Sequence, residues 1–191
     1  MSSLTSFVRL SNEKATLIFD CQGRMPKVIY YGAPLSDSTT PEMLSVLNTR
    51  QEAKCAPVIE PPITLVPTHG DGWTGQPGLE VSGDADQWSA GFSLTEINEG
   101  AQSVAFVSED ARRGMRLITT VELDNKTSVV KYVSRLENSG ETPLNLGYLN
   151  AASLPLPTSV SKIKTFEGRW SAEFQTKDHD LFFGSYVREN R

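Results

Sequence analysis

Apolar and polar residues alternate with a period of two along much of this 191-residue chain. Between Met115 and Leu123 the odd positions are apolar except Thr119, whereas Arg116 and Glu122 point to the opposite side. Successive side chains of a β-strand point to opposite faces, so this pattern predicts half-buried strands rather than helices. About a dozen such runs, separated by turn residues, predict an all-β fold with a large antiparallel β-sandwich.

The predicted strands are short and lie close together along the chain. Breaks at Asp124-Asn125-Lys126 and Asn138-Ser139-Gly140 resemble hairpin turns, because Asn and Gly tolerate positive φ. The predicted strands cover Phe7–Leu10, Ala15–Asp20, Val28–Tyr31, Ile63–Val66, Phe92–Ile97, Val104–Val107, Met115–Leu123, Val129–Leu136, Leu144–Leu149, Phe166–Phe174 and Leu181–Val187.

One short helix is predicted at Pro41–Leu47. Thr40 can cap its first turn, and Pro41 suits the first helical position. We expect its apolar side to consist of Met43, Leu44 and Leu47.

Composition limits the classes of partner. The chain has 18 Lys and Arg against 23 Asp and Glu, for a net charge of -5, without a basic block that would bind nucleic acid. No apolar run approaches the ~20 residues of a membrane-spanning helix, and no secretory signal is visible. We therefore expect a cytoplasmic protein that binds neither nucleic acid nor membrane, with Cys21 and Cys55 reduced. Its length suits one domain over residues 1–191.

A glycine-rich segment, Gly70-Asp-Gly-Trp-Thr-Gly75, matches a dinucleotide-binding pattern. Pro67 precedes it and Pro77 follows closely, so a helix that could receive a pyrophosphate is not expected, and a glycine-rich turn is favoured. Trp73 in this turn can stack on a sugar or contact a partner, or it can fold over the end of the sandwich.

Catalytic and metal-binding patterns are weak. His69 and His179 lack partners at a ligand-like spacing, and His179 between two aspartates is typical of a solvated turn. Glu167 and Glu173 would lie ~20 Å apart along one extended strand, which is too far for a glycosidase pair. We predict no metal, no cofactor and no catalytic residue in this chain.

A charged face formed by Glu167, Arg169 and Glu173 has two interpretations. It is either a solvated or interface ladder of ion pairs, or one wall of a sugar site. Arg169, Trp170 and Glu173 are therefore candidates for sugar or interface contacts, together with Trp73.

Several segments resemble the N-terminal domain of glycoside hydrolase family 36, the α-galactosidases. The most specific is Phe166-Glu-Gly-Arg-Trp-Ser-Ala-Glu-Phe174, followed by Leu181-Phe-Phe-Gly184. Upstream, Lys131-Tyr-Val-Ser-Arg-Leu-Glu-Asn-Ser-Gly140, Val28-Ile-Tyr-Tyr-Gly32 and the glycine-rich turn are also similar to that domain. Many relatives carry an acidic-aromatic-basic run inside this turn, where this chain has Trp73, Thr74 and Gly75.

The resemblance implies a supersandwich, similar to that of galactose mutarotases, preceding a (β/α)8 barrel. In the family two barrel aspartates act as nucleophile and acid/base, so the chain alone is expected to be inactive although its parent is a retaining α-galactosidase. The implied partners are the protein's own barrel and further copies in a homo-oligomer. In relatives, the segment corresponding to Leu35–Glu60 reaches across a tetramer interface.

Two other functions remain open. A stand-alone module that binds galactosides would need exposed aromatic residues, for which Trp73, Trp88 and Trp170 are the tryptophan candidates. An enzyme similar to aldose epimerases would need paired histidines and a carboxylate, and the two histidines here are predicted in unrelated loops.

Overall fold

The computed structural model describes residues 4–49, 61–83, 89–156, 159–182 and 184–188. These residues form antiparallel sheets with a single α-helix, which confirms the all-β fold class. The chain divides into unit 1 (Met1–Pro155) and unit 2 (Leu156–Arg191), and the prediction of one domain stays a prediction. The strands are β1 (Phe7–Ser11), β2 (Thr16–Asp20), β3 (Lys27–Gly32), β4 (Leu79–Ser82), β5 (Ser93–Glu99), β6 (Ser103–Asp110), β7 (Met115–Leu123), β8 (Val130–Asn138), β9 (Asn145–Leu149), β10 (Lys162–Arg169) and β11 (Ala172–Asp180).

Two sheets of unit 1 pack face to face. One has the order β1-β2-β3 and the other the order β5-β6-β7-β8. Their facing side chains form one apolar core, in which the rings of Phe19 and Phe106 meet edge to face with centroids 5.0 Å apart. Burial of these alternating apolar positions is the main force that holds the two sheets together.

Strand β7 has the predicted bounds and the predicted alternation. Its odd positions are all buried, including Thr119, whose hydroxyl oxygen lies 3.2 Å from that of Ser134 on β8. On the opposite face Arg116 lies 3.7–3.8 Å from carboxylates of strands β5, β6 and β8, at Glu96, Glu109 and Glu137.

The helix α1 (Pro41–Leu47) confirms the predicted bounds and cap. The Thr40 hydroxyl oxygen accepts a hydrogen bond from the Met43 N–H, and proline stands at the start. Leu44 packs on the outer face of the β1-β2-β3 sheet, whereas Met43 and Leu47 are exposed. In the described residues no helix is long and apolar enough to cross a membrane.

Strand β4 was not predicted, and it pairs with β9. The predicted hairpin turn at Asn138-Ser139-Gly140 therefore does not connect paired strands, because β9 pairs with β4 and not with β8. The predicted strand Ile63–Val66 is also absent. Leu65 is fully buried; its N–H donates to the Pro26 carbonyl oxygen, and its own carbonyl oxygen accepts from the Ser153 N–H. Prolines on either side of this segment limit further strand pairing.

The turn between β6 and β7 lies against the loop that follows β8. Gly114 adopts a φ of +62° there, and its carbonyl oxygen accepts a hydrogen bond from the Ser139 N–H at 2.7 Å. A Cβ at Gly114 would lie 2.6 Å from the Gly140 Cα. Glycine is therefore required both for the backbone conformation and for the close approach.

Unit 2 contains a β-hairpin formed by β10 and β11. The predicted single strand Phe166–Phe174 was wrong, because the chain reverses at Trp170 and Ser171. Ser171 has a φ of +65°, and the pairing register shifts between Glu167 and Arg169. The alternation continued through the turn, so it gave no sign of the reversal.

The predicted strand Leu181–Val187 was also wrong in the described residues. After Leu181 the chain contacts the hairpin through side chains: the Tyr186 ring packs on His179 with centroids 4.9 Å apart, and the Arg188 guanidinium donates to the Phe166 carbonyl oxygen. These side-chain contacts take the place of the backbone pairing that a third strand would make with the hairpin.

Candidate functional site

Trp73 borders a cavity of about 300 Å³ in unit 1. Such a volume is at the lower end of the ~300–1,000 Å³ typical of small-molecule pockets. Its polar lining is Arg24, Lys27, Thr64 and Asp71, and its apolar lining includes Pro61, Pro62, Pro67 and Trp73. The predicted glycine-rich turn thus forms one wall of a concave surface.

The turn begins with a short 3-10 helix, His69–Asp71, which confirms that the glycine-rich segment does not open an α-helix. A Cβ at Gly70 would lie 1.9 Å from the Ala90 carbonyl oxygen, so glycine is needed for this close approach. Gly72 ends the helix with a φ of +82°. Together these glycines direct Asp71 and Trp73 toward the cavity.

The Trp73 indole is held in place from two directions. Its Nε1 donates to the Gln76 carbonyl oxygen at 3.0 Å, and a Cβ at Gly75 would lie 2.9 Å from the same nitrogen. The backbone carbonyl oxygen of Trp73 lies 2.9 Å from Nδ1 of His69. The ring is therefore an ordered, partly exposed apolar surface beside the cavity.

Asp71 supplies the polar centre of the cavity. Its Oδ2 accepts a hydrogen bond from the Thr68 hydroxyl at 2.8 Å, whereas its buried Oδ1 has no hydrogen-bond partner among the described residues. Arg24 Nη1 lies 3.5 Å from this Oδ1. Burial raises the pKa of the Asp71 carboxyl, although the Thr68 hydrogen bond and the Arg24 charge partly oppose the shift.

Lys27 lies at the same cavity, but a nearby carboxylate balances its charge. Its Nζ is 3.1 Å from Oδ2 of the buried Asp20. Since Asp20 balances Lys27 and Arg24 lies beside Asp71, the cavity carries little net charge. A neutral ligand with both donors and acceptors is compatible with this arrangement.

The hairpin of unit 2 brings the other candidates together. Arg169, Trp170 and Glu173 line an open hollow at the hairpin turn, together with Phe166, Glu167, Gly168, Phe174 and Arg188. Trp170 is 91% exposed and Phe174 is 81% exposed. Phe174 also adopts a φ of +56°, an unusual conformation for a bulky residue.

Glu167 and Glu173 line this same hollow, so the predicted ~20 Å separation along one strand was wrong. The hairpin turn lies between them and folds one toward the other. Both side chains are solvent-exposed, and Glu167 lies 3.8 Å from Lys177.

On this charged face Glu167 forms an ion pair with Lys177 across the hairpin. Lys164 and Asp178 form a second ion pair, on the opposite face of the hairpin. Among the described residues Arg169 forms no ion pair, and Glu173 accepts a hydrogen bond from the Ser171 N–H at 3.1 Å instead.

His179 does not lie in a solvated turn, so that prediction was wrong. It lies in β11, where its Nε2 is 3.3 Å from the Thr165 hydroxyl and 3.9 Å from Glu167. No group of three or more potential metal-binding side chains occurs within the described ranges. Two residues considered from the sequence, Cys55 and Trp88, lie outside those ranges.

Sequence reasoning missed the contributions of Asp71 and Arg24. The spacing of Thr68 and Asp71, a hydroxyl followed three residues later by an acid, was a usable local signal for a turn in which the two side chains bond to each other. Arg24 lies far away along the chain, and no local pattern connects it to Asp71.

The comparisons with known proteins agree with this fold. The chain matches the glycosyl hydrolase family 36 N-terminal domain over residues 24–191. It belongs to this family of β-sandwich domains.

An α-galactosidase of Escherichia coli is 25% identical over 188 residues, which is 98% of this chain and 26% of that protein. Two solved structures share the fold. The α-galactosidase AgaA variant A355E D548N from Geobacillus stearothermophilus, in complex with raffinose, has a TM-score of 0.79 at 17% identity, over 93% of this chain and 28% of that one. The α-galactosidase from Lactobacillus brevis has a TM-score of 0.78 at 16% identity, over 92% and 27%. The chain therefore spans about a quarter of the length of these relatives.

Proposed function

We propose that this chain is the non-catalytic N-terminal domain of a retaining α-galactosidase that hydrolyses terminal α-galactosides. In this proposal the catalytic carboxylates lie in a (β/α)8 barrel outside the residues of this chain. The observation that carries the proposal is the match to an N-terminal domain family over residues 24–191, in relatives about four times as long.

The chemistry of the hairpin hollow supports a non-catalytic role. Glu167 and Glu173 are exposed to solvent, and Glu167 is close to Lys177 and His179. Glu173 accepts a hydrogen bond from the Ser171 N–H, so both carboxylates already have partners within the hairpin. The hairpin is better suited to contact another surface than to break a glycosidic bond.

The hairpin surface, formed by Phe166, Trp170 and Phe174, is the proposed contact for the barrel. At ~150–250 Å² per aromatic side chain, their exposed fractions amount to about 450 Å² of apolar area. The largest apolar patch on a typical monomer measures ~300–600 Å² and is often functional. In the Escherichia coli relative about three quarters of the polypeptide lies outside the matched region. A polypeptide of this kind is available to cover the hairpin surface.

The helix surface, formed by Met43, Val46 and Leu47, is the proposed contact for a second copy of the chain. These side chains are 58%, 73% and 80% exposed, whereas Leu44 of the same helix is buried. They lie in the long segment between β3 and β4, whose counterpart in relatives reaches across an oligomer interface according to the sequence resemblance. Two copies of one apolar patch can form a symmetric contact.

An epimerase-like activity has weaker support. His69 lies in the glycine-rich turn of unit 1, and His179 lies in β11 of unit 2. Each histidine is engaged by its own neighbours, at Trp73 for the first and Thr165 for the second.

Activity assays test the proposal directly. The purified 191-residue chain should not release nitrophenol from 4-nitrophenyl α-galactoside, hydrolyse raffinose or accelerate galactose mutarotation. Protein expressed from the complete gene should hydrolyse both galactosides. Hydrolysis or mutarotation by the chain alone, above a mock-purified control, would contradict the proposal.

Matched variants of the complete enzyme separate the two surfaces. Trp170→Ser with Phe174→Ser should lower its melting temperature and activity while the oligomer mass stays constant. Val46→Ser with Leu47→Ser should lower the oligomer mass measured by sedimentation. If the hairpin variant leaves both stability and activity unchanged, the hairpin surface does not contact the barrel.

A further inference from the structure

We propose that the cavity beside Trp73 is a carbohydrate-binding site for a neutral pyranose. The site is formed by the indole of Trp73, the carboxylate of Asp71 and the guanidinium of Arg24, all within unit 1. The inference does not depend on where the enzyme's catalytic carboxylates lie.

The polar groups indicate the chemistry of the ligand. Asp71 Oδ1 is a buried acceptor that receives no hydrogen bond from the described residues. Arg24 Nη1 lies 3.5 Å from it, as an ion pair that does not form a hydrogen bond. A buried polar atom is normally satisfied by a partner or by a ligand. A sugar hydroxyl both donates and accepts, so it can bond to Asp71 and Arg24 at once.

Charge disfavours ligands that are purely anionic or purely cationic. An anion would meet the Asp71 carboxylate, which is partly desolvated, as its raised pKa indicates. A cation would meet Arg24, while Lys27 is already paired with Asp20 at 3.1 Å. A neutral ligand avoids both repulsions.

The apolar lining indicates the shape of the ligand. Trp73 and three prolines, Pro61, Pro62 and Pro67, line a volume of about 300 Å³. The indole is fixed by its bond to Gln76 and by its contact with Gly75, so little conformational freedom is lost on binding. A pyranose presents an apolar C–H face on one side and hydroxyls at its rim, which matches this division of the lining.

Titrations of the 191-residue chain test the site. We expect saturable binding of D-galactose, methyl α-galactoside or D-glucose, observed by isothermal titration calorimetry and by tryptophan fluorescence. Glycerol and sodium phosphate at equal concentrations should give no saturable signal. Binding by phosphate, or an equal response to glycerol, would overturn the assignment.

Conservative variants locate the binding. Asp71→Asn and Arg24→Gln should each weaken the affinity about tenfold, because each leaves one ligand hydroxyl with a poorer partner. Asp37→Asn, on an exposed carboxylate of unit 1, is the matched control and should bind as the parent does. Circular dichroism confirms that each variant is folded.

The tryptophan variants separate this site from the hairpin hollow. Trp73→Phe should remove the fluorescence change and weaken binding, whereas Trp170→Phe should retain both. If Trp170→Phe abolishes binding instead, or if Asp71→Asn and Arg24→Gln bind as the parent does, the cavity is not the sugar site. Absence of saturable binding by all three sugars would also refute the inference, while leaving the activity assays of the complete enzyme unaffected.

Discussion

Replacing Gly114 by alanine tests the contact between the β6–β7 turn and the loop after β8. An L-residue at positive φ costs about 1–2 kcal/mol, of which about 0.4–1 kcal/mol is offset by the lower entropy of the unfolded chain. The new Cβ would also lie 2.6 Å from the Gly140 Cα and 2.7 Å from its nitrogen. Carbon atoms prefer a separation of ~3.5–4.0 Å, so one backbone segment must move by about 1 Å.

The expected destabilisation follows from these two contributions. Overpacking of this kind costs about 1–3 kcal/mol, and the neighbouring atoms belong to backbone that is tied to Gly114 through the Ser139 N–H. The free energy of unfolding should therefore fall by about 2–4 kcal/mol. For a chain of this length that corresponds to a melting temperature lower by about 5–15 °C.

Gly72 provides a matched control, because it shares the backbone conformation but not the crowding. Its φ is +82°, and the nearest atom to an added Cβ is Pro61 Cγ at 3.9 Å. Gly72→Ala should cost about 1 kcal/mol. Urea unfolding monitored by circular dichroism, with thermal scans, measures both variants, and equal losses for Gly114→Ala and Gly72→Ala would refute the argument from close approach.

Two further predictions concern titratable groups. Burial raises the folded-state pKa of Asp71, so ionisation of this carboxyl costs stability, and that cost disappears as the pH falls through the folded-state pKa. The parent should therefore gain stability relative to Asp71→Asn between pH 7 and about pH 4. Urea unfolding that shows a constant or opposite difference would contradict this. Cys21 is buried, and burial raises its pKa to about 12. In a Cys55→Ser background, its thiol should resist iodoacetamide in the native chain and react in urea. Rapid labelling of the native chain, measured by mass spectrometry, would show instead that the thiol is accessible.

Local patterns predicted the elements whose structure depends on local rules. The alternation in β7 fixed both of its ends, and the combination of Thr40 and Pro41 located α1 with the correct first residue. In each case the determining interactions lie within a few residues, such as the bond from the Met43 N–H to the Thr40 hydroxyl. Strand alternation and helix capping are therefore readable from one sequence.

The errors arose where distant residues or an unmarked turn decided the structure. The reversal at Trp170 and Ser171 carries no Gly, Pro or Asn, so alternation alone indicated a continuous strand. The cavity depends on Arg24 meeting Asp71, and tertiary packing rather than spacing brings them together. Leu65 is completely buried, yet prolines nearby leave it outside a regular strand.

The hairpin of β10 and β11 has a consequence for how such domains diversify. An antiparallel ribbon can lengthen or shorten by one residue on each arm without changing which pairs face each other at its base. Insertions of paired residues beside Trp170 and Ser171 would therefore carry the aromatic tip outward while the Lys162 and Asp180 pair stays in register. Related enzymes can in this way vary the reach of the ribbon while the sandwich stays the same.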